Sequence, residues 1–269
     1  MRLPWRKPPA LPTLLHITHI KAGSTWIDGL LHRLFGTRTM PRFGSTLIAT
    51  PDADPAEPPK HPDYREMFHA LEYRPGHVYP SLFITHAEFS TRAEFAEARR
   101  FVVIRDLRDT FTSHYFSLKG THALDKLGRV QAARDFLQSA SKDDGFLFLF
   151  ERDLERLIEI QRSWLAAGEL VLRYEDLIRN DVAEFRALFL EKLALPLGER
   201  DLTRAVKASR FETVYNRKLG ELDEKSHGRQ GLPGDWKNHF SPRVRREFAE
   251  RAGDLLVAAG YERDNSWAE

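Results

Sequence analysis

Four short apolar runs, separated by longer stretches of helical spacing, constrain this chain more than any other feature. LLHITHI (14–20), SLFITH (81–86), ARRFVVIR (98–105) and the centre of ELVLRYEDL (169–177) are bounded by turn or polar residues and read as strands. A helical pattern opens at Ser24, with Ser24 or Thr25 as its cap and Gly36 as its stop. Others lie at 91–99, 108–119, 129–140, 146–167, 180–193, 199–208 and 242–259. Strands alternating with helices predict an α/β single domain, with a central and largely parallel sheet flanked by helices. Ligands of such sheets sit beyond the carboxyl ends of the strands. The first candidates for chemistry are therefore Lys21–Thr25, His86 and Arg105–Arg108.

Composition narrows the function classes. The chain has 269 residues, enough for one sizeable core, and a net charge of +2 gives no reason to expect nucleic acid as a partner. With no cysteine, a disulfide scaffold, a thiolate zinc site and a cysteine nucleophile are all excluded. Residues 1–12 form a proline-rich lead without the apolar run of a signal peptide, and no membrane span is visible, so a cytoplasmic protein is expected. The domain proper is placed at 13–260, with a turn-rich excursion at 37–80 and a tail at 261–269.

The first strand ends in Lys21-Ala22-Gly23-Ser24-Thr25-Trp26. Glycine among small hydroxyl residues lets backbone N–H groups converge, and the next helix adds its positive end, making an anion cradle beside a lysine. It is not a Walker A loop, which needs an earlier glycine and a lysine after the last one. A plain strand-to-helix turn with a surface lysine fits the same residues. His86 follows the second run and suits a general base, or a structural hydrogen-bonding role. Arg105 closes the third run and Ser113 follows eight residues later, a pair able to clamp a phosphate. Asp106, Arg108 and Asp109 between them fit a solvated helix start equally well. A glycine-rich segment at 220–240 carries Arg229, Gln230, Gly231 and Lys237, and reads as a loop that closes over an anion or as a flexible connector.

Taken together, these segments resemble the cytosolic-type sulfotransferases, which use 3′-phosphoadenosine 5′-phosphosulfate (PAPS) and release adenosine 3′,5′-bisphosphate (PAP). The resemblance runs over roughly 13–245 and implies a nucleotide-binding core like that of the P-loop kinases. IKAGSTW is similar to the family's 5′-phosphosulfate loop, which implies Lys21 at the bridging oxygen and sulfuryl group and Trp26 against adenine. VVIRDLRDTFTSHYF resembles the 3′-phosphate segment, implying that role for Arg105 and Ser113. ITH matches the strand end that carries the family's base, hence His86. LRYEDL puts Tyr174 near the nucleotide, and GRQGLPGDWKNHF resembles the closing loop, with Arg229 and Gly231 on the 3′-phosphate.

Three departures stand out. Gln230 replaces a usual lysine, Ile84 stands where many members have a lysine that stabilises the transferring group, and SPRVRR (241–246) breaks the family's dimer motif. His19, Lys21 or another side chain is left to supply the missing charge. A monomer, or a dimer through another surface, is expected. The implied reaction is in-line attack of a hydroxyl with His86 as base, without a metal. Phe43, Tyr64, Phe68, Tyr115, Phe116, Phe146 and Phe148 are the candidate acceptor surface, which suggests a small, partly apolar hydroxyl compound, though the same rings suit a core. An ATP-dependent small-molecule kinase and a non-catalytic nucleotide-binding relative are the alternatives.

Overall fold

The computed structural model describes residues 10–43, 64–125, 128–226 and 228–269. In chain order the regular elements are β1 (Leu14–Thr18), α1 (Ser24–Phe35), α2 (Tyr64–His69), β2 (Val78–Leu82), α3 (His86–Ser90), β3 (Arg99–Ile104) and α4 (Leu107–Phe116). They continue through α5 (Arg129–Ser139), α6 (Lys142–Leu149), α7 (Glu155–Ala166), β4 (Val171–Arg173), α8 (Tyr174–Arg179), α9 (Asp181–Arg186), α10 (Glu199–Ala208), α11 (Phe211–Tyr215) and α12 (Pro242–Ala258). The four strands form one sheet in the order β2-β1-β3-β4, and every pairing is parallel. The proline-rich lead, up to Leu11, and most of the 37–62 stretch lie outside the described residues or outside regular structure.

The sheet is covered on both faces, which explains why its strands read as unbroken apolar runs. Leu15 and Ile17 of β1 join Val102 and Ile104 of β3 in a core that includes Trp164 of α7. Their alternate neighbours Leu14, Phe101 and Val103 face the other way, against Ile27 and Leu30 of α1 and Phe185 and Phe189 beyond β4. A third core joins Phe111 of α4, Phe146 of α6, Phe150 and Phe248 of α12.

The structure departs from the sequence reading in three places that bear on function. The second strand is Val78–Leu82, ending four residues before His86. Between Leu15 and Ile17 of β1 the partners advance from Tyr79 to Leu82, so β2 carries one extra residue. Ser81 takes the strain, with a φ of 57° and its N–H donating to His16 Nδ1 at 3.2 Å. Because side chains alternate along a strand, one inserted residue reverses the facing of everything after it. Thr85 then starts a helix rather than continuing a strand. Its Oγ1 accepts from Glu88 N at 3.2 Å, while Glu88 Oε2 accepts from Thr85 N at 2.7 Å. This reciprocal pair is a capping box.

The second difference concerns Asp106 and Arg108, which are buried rather than solvated. Asp106 caps α4, and the Arg108 guanidinium lies 4.0 Å from the Trp236 ring centre and 4.4 Å from that of Trp267. Arg108 also pairs with Asp106 at 2.7 Å and with Glu262 at 2.6 Å. Third, the tail at 261–269 packs back onto the domain. Tyr261 donates to Glu175 Oε2 at 3.0 Å, and Trp267 packs on Arg108.

Candidate active site

At the end of β1 the backbone twice enters the left-handed region, at Lys21 (φ 62°) and Gly23 (φ 83°), before α1 begins. Gly23 is the cap of α1, and neither Ser24 nor Thr25 caps it with a side chain. This turn aims the first N–H groups of a twelve-residue helix at one point. Only glycine fits at 23: a Cβ there would lie 2.7 Å from the Tyr174 ring. Gly23→Ala therefore carries roughly 1–2 kcal/mol of left-handed backbone cost and pushes the ring aside. The expected result is a lower Tm and at least about tenfold weaker PAP binding by calorimetry. Unchanged binding would mean that the turn tolerates a displaced Tyr174.

Lys21 stands beside the cradle among other cations. Burial, and then the charges of Arg105 and Arg42, depress its ammonium to a pKa of about 7. Arg105, buried at the end of β3, donates from Nη1 to the Lys21 carbonyl at 2.9 Å, and its guanidinium lies 4.6 Å from the Tyr174 ring centre. Its Nε is closed off from water and has no hydrogen-bond partner, an orphan donor of the kind an anion would satisfy. Ser113 lies on α4 and lines the same cleft. Tyr174 donates to the Gly231 carbonyl at 3.1 Å, tying the glycine-rich loop to the sheet end. Trp26 is set edge-on against Phe185, 5.5 Å between centroids, and against Tyr174 at 6.1 Å.

The loop is fastened from behind by Asp109, which accepts from Gly234 N at 2.5 Å and from Trp236 N at 3.0 Å. Arg229 pairs with Asp235 and lies 4.3 Å from the Phe116 ring centre. Burial works against the Asp235 carboxylate. Hydrogen bonds from His239, Arg229 and Asn238 outweigh that and hold it well below the usual carboxylate range. Lys21, Gly23–Trp26, Arg105, Ser113, Tyr174 and Arg229–Gly231 thus line one cleft of about 630 Å³, an arrangement able to hold an anion at each end of a nucleotide. Ala22 is wholly buried beneath it.

The other half of the cleft is lined by Phe43, Tyr64, Phe83, Leu118, Leu124 and Val130, with His114, Asp125, Arg129 and Arg152 among them. Burial, and then the Asp153 carboxylate, push the Tyr64 hydroxyl up to about 12. Of the seven aromatic candidates only Phe43 and Tyr64 line the cleft. Phe68 is in the core with Phe95, and Tyr115 and Phe146 stack on each other at 4.7 Å. Phe148 packs on Phe136, and Phe116 backs Arg229 without lining the cleft.

His86 does not join this constellation. Its ring stands edge-on to Trp164 at 5.0 Å and 6.0 Å from Phe89, and the backbone N–H of His86 donates to Ser163 Oγ. The inserted residue at Ser81 and the capping box at Thr85 turn it away, and Phe83 faces the cleft instead. Ile84 is wholly buried, with its carbonyl accepting from Trp164 Nε1. His19 is not a spare cation either. Burial lowers it to about 4, and its Nε2 accepts from Arg105 N–H and lies 2.8 Å from Gln161 Nε2.

Arg42 and His114 are the site residues that sequence reasoning missed. Arg42 donates to Ser24 Oγ and to Thr25 Oγ1 at 3.1 Å, and pairs through Nε with the buried Asp28 at 3.1 Å. Asp28 is held in turn by Ser81 Oγ. No periodic pattern surrounds Arg42, so nothing in the sequence singled it out. His114 had a signal, since it follows Ser113 directly.

A parallel sheet with an anion cradle after its first strand, an arginine after its third and a loop tied across both is the layout of a nucleotide-dependent group transferase. The sequence profile of the Sulfotransferase domain matches residues 11–258, and the chain belongs to that family. Guinea-pig (Cavia porcellus) 3-alpha-hydroxysteroid sulfotransferase is 29% identical over 182 residues, covering 62% of this chain and 55% of that protein. Mouse (Mus musculus) sulfotransferase 2A2 is 25% identical over 244 residues, covering 85% and 78%. The chain thus spans little more than half the length of the first of these relatives. The fold matches mouse sulfotransferase SULT7A1 complexed with PAP at a TM-score of 0.62, with 14% identity, covering 94% of this chain and 86% of that one. Retinol dehydratase in complex with retinol and PAP matches at 0.59, with 15% identity, covering 93% and 82%.

Proposed function

We propose that the chain transfers the sulfuryl group of PAPS to a hydroxyl of a small, partly apolar acceptor. The observation that carries this reading is the convergence of Lys21, Arg105 and the Arg229–Gly231 loop on one cleft at the ends of β1 and β3. In it, Lys21 and the first N–H groups of α1 receive the 5′-phosphosulfate. Arg105 and Ser113, covered by the closing loop, receive the 3′-phosphate. Trp26 borders the adenine. Arg42 supplies the charge that Ile84 does not, because its guanidinium is already bonded to the cradle hydroxyls. As the sulfur–oxygen bond to phosphate breaks, negative charge grows on the bridging oxygen beside Lys21, and fixed cations stabilise it without reorganising. The apolar wall of Phe43, Tyr64 and Phe83 suits a hydrophobic alcohol or phenol, in keeping with a hydroxysteroid enzyme and a retinol complex among its relatives.

A thermal-shift titration tests the reading. PAP at ~100 times its Kd should stabilise the fold by about 2.7 kcal/mol, with AMP and ATP plus Mg²⁺ well behind. Stabilisation by ATP alone would move the assignment to a kinase. PAP binding without transfer to any acceptor would favour the non-catalytic reading, for which Gln230 and the turned-away His86 give grounds.

A further inference from the structure

Of the strand residues described, Ser81 alone takes a left-handed backbone, at φ 57°. A non-glycine residue is held there against a steric cost, and such residues gather at functional sites. What the strained turn delivers is a hydroxyl. Ser81 is wholly buried; its Oγ donates to Asp28 Oδ1 at 2.5 Å while its N–H donates to His16 Nδ1 at 3.2 Å. Burial, chiefly, lowers the His16 pKa against the pull of Asp28, so the buried carboxylate takes its counter-charge from Arg42, whose Nε lies 3.1 Å from Oδ2. Asp28 follows Ser24 by four residues and Thr25 by three, which puts the three side chains on one face of α1. Arg42 lies along that face, with Nε on the carboxylate and its two Nη atoms on the hydroxyls of Thr25 and Ser24. Unlike the brace behind it, Arg42 lines the open cleft, and its side chain is 37% exposed.

We propose that Asp28 and Ser81 are positioning residues of the transfer, which hold Arg42 by its Nε so that its Nη atoms meet the oxygens of the sulfuryl group. The inference rests on the sulfotransferase reading above and extends it from the cradle to the buried brace that aims it. A free arginine has a long stem and loses rotamer freedom when it binds; one fixed at Nε has less to lose. A sulfuryl oxygen entering the cradle takes over the hydrogen bonds that Ser24 and Thr25 receive in the free protein, and the bond to Asp28 stays. The carboxylate has a second effect. Arg42 stands near enough to Lys21 to depress its ammonium, and Asp28 offsets that crowding of like charge. No proton moves in this role, since the guanidinium stays charged throughout.

Calorimetry on the full chain with PAPS and with PAP, without an acceptor, tests this, because the two nucleotides differ by the sulfuryl group alone. Arg42→Ala should weaken PAPS by at least about tenfold, the loss of a hydrogen bond to a charged group, and PAP far less. Asp28→Asn keeps the shape of the side chain and removes its charge, and should raise the ratio of the PAPS Kd to the PAP Kd in the same direction. Made in the Arg42→Ala background, Asp28→Asn should add nothing to that ratio, a result that a merely structural carboxylate would not give. Ser81→Gly suits the left-handed backbone but lacks the hydroxyl. It should act like Asp28→Asn, and it decides the matter if Asp28→Asn does not fold. Equal weakening of PAPS and PAP in Arg42→Ala overturns the proposal and leaves the sulfotransferase reading standing. A wild-type ratio in Asp28→Asn or, failing that variant, in Ser81→Gly overturns it too, as does an Asp28→Asn effect that is as large without Arg42 as with it. If the wild type binds neither nucleotide, the sulfotransferase reading fails first and takes the proposal with it.

Discussion

Lys21→Ala is expected to lower kcat by about 10²–10³-fold, the range seen when one fixed donor to a developing oxyanion is removed, with a much smaller change in PAP affinity. On the proposed assignment the ammonium stands where charge grows only as the sulfur–oxygen bond breaks, so its contribution belongs mainly to the transition state. The fold should not suffer. A cation depressed by burial and by Arg105 and Arg42 is a liability to the free chain, so the Tm should hold or rise. The same depression has a thermodynamic signature. With a pKa of about 7, Lys21 is largely neutral in the free protein above that pH. A dianionic phosphate beside it favours the charged form and lifts the pKa. PAP binding should therefore take up a proton at about pH 8 and take up less as the pH falls below 7, where the amine is already charged. Calorimetry in buffers of different ionisation enthalpy measures this, and Lys21→Ala should abolish it. Equal uptake in the variant would place the titrating group elsewhere.

Arg105→Ala should weaken PAP by about 1.5–3 kcal/mol, the worth of a hydrogen bond to a charged group, or roughly 10–150-fold. AMP should lose far less, so discrimination between the two nucleotides collapses. Arg105→Lys separates charge from geometry. It keeps the cation but loses the planar fork that reaches the Lys21 carbonyl and lies on Tyr174. Partial recovery in that variant is expected. If AMP and PAP weaken equally in Arg105→Ala, the arginine only props the cradle and does not read the 3′-phosphate.

The sheet, the cradle and the arginine after β3 were legible because each depends on local signals: an apolar run, a glycine among hydroxyls, a charge at a strand end. What failed was parity. ITH matches a catalytic strand end residue by residue, yet one extra residue near Ser81 turns the histidine away from the cleft. A counter-signal was present, since Thr85 and Glu88 have capping-box spacing, which predicts a helix start at His86. The aromatic candidates divided for a similar reason. Tyr115 of α4 and Phe146 of α6 stack on each other, and Phe146 also meets Phe240, and no local pattern gives pairings between segments so far apart in the chain. Arg42 reaches the cradle hydroxyls directly and is braced by Asp28, contacts between an irregular segment and a helix that neither element announces alone.

The grip of two indole rings on Arg108 joins three separate parts of the chain at one point. Trp236, at the trailing end of the glycine-rich loop, is clasped to α4 and to Trp267, whereas the leading part is held by backbone bonds around Gly220, by Arg217 donating to the Gly228 carbonyl at 2.6 Å, and by Tyr174 donating to the Gly231 carbonyl. The post formed by Arg108 and the two indoles is shared by α4, the loop and the C-terminal segment, so Trp267→Ala is expected to loosen the loop at Trp236 as well as the C-terminus, read as faster amide exchange at Trp236.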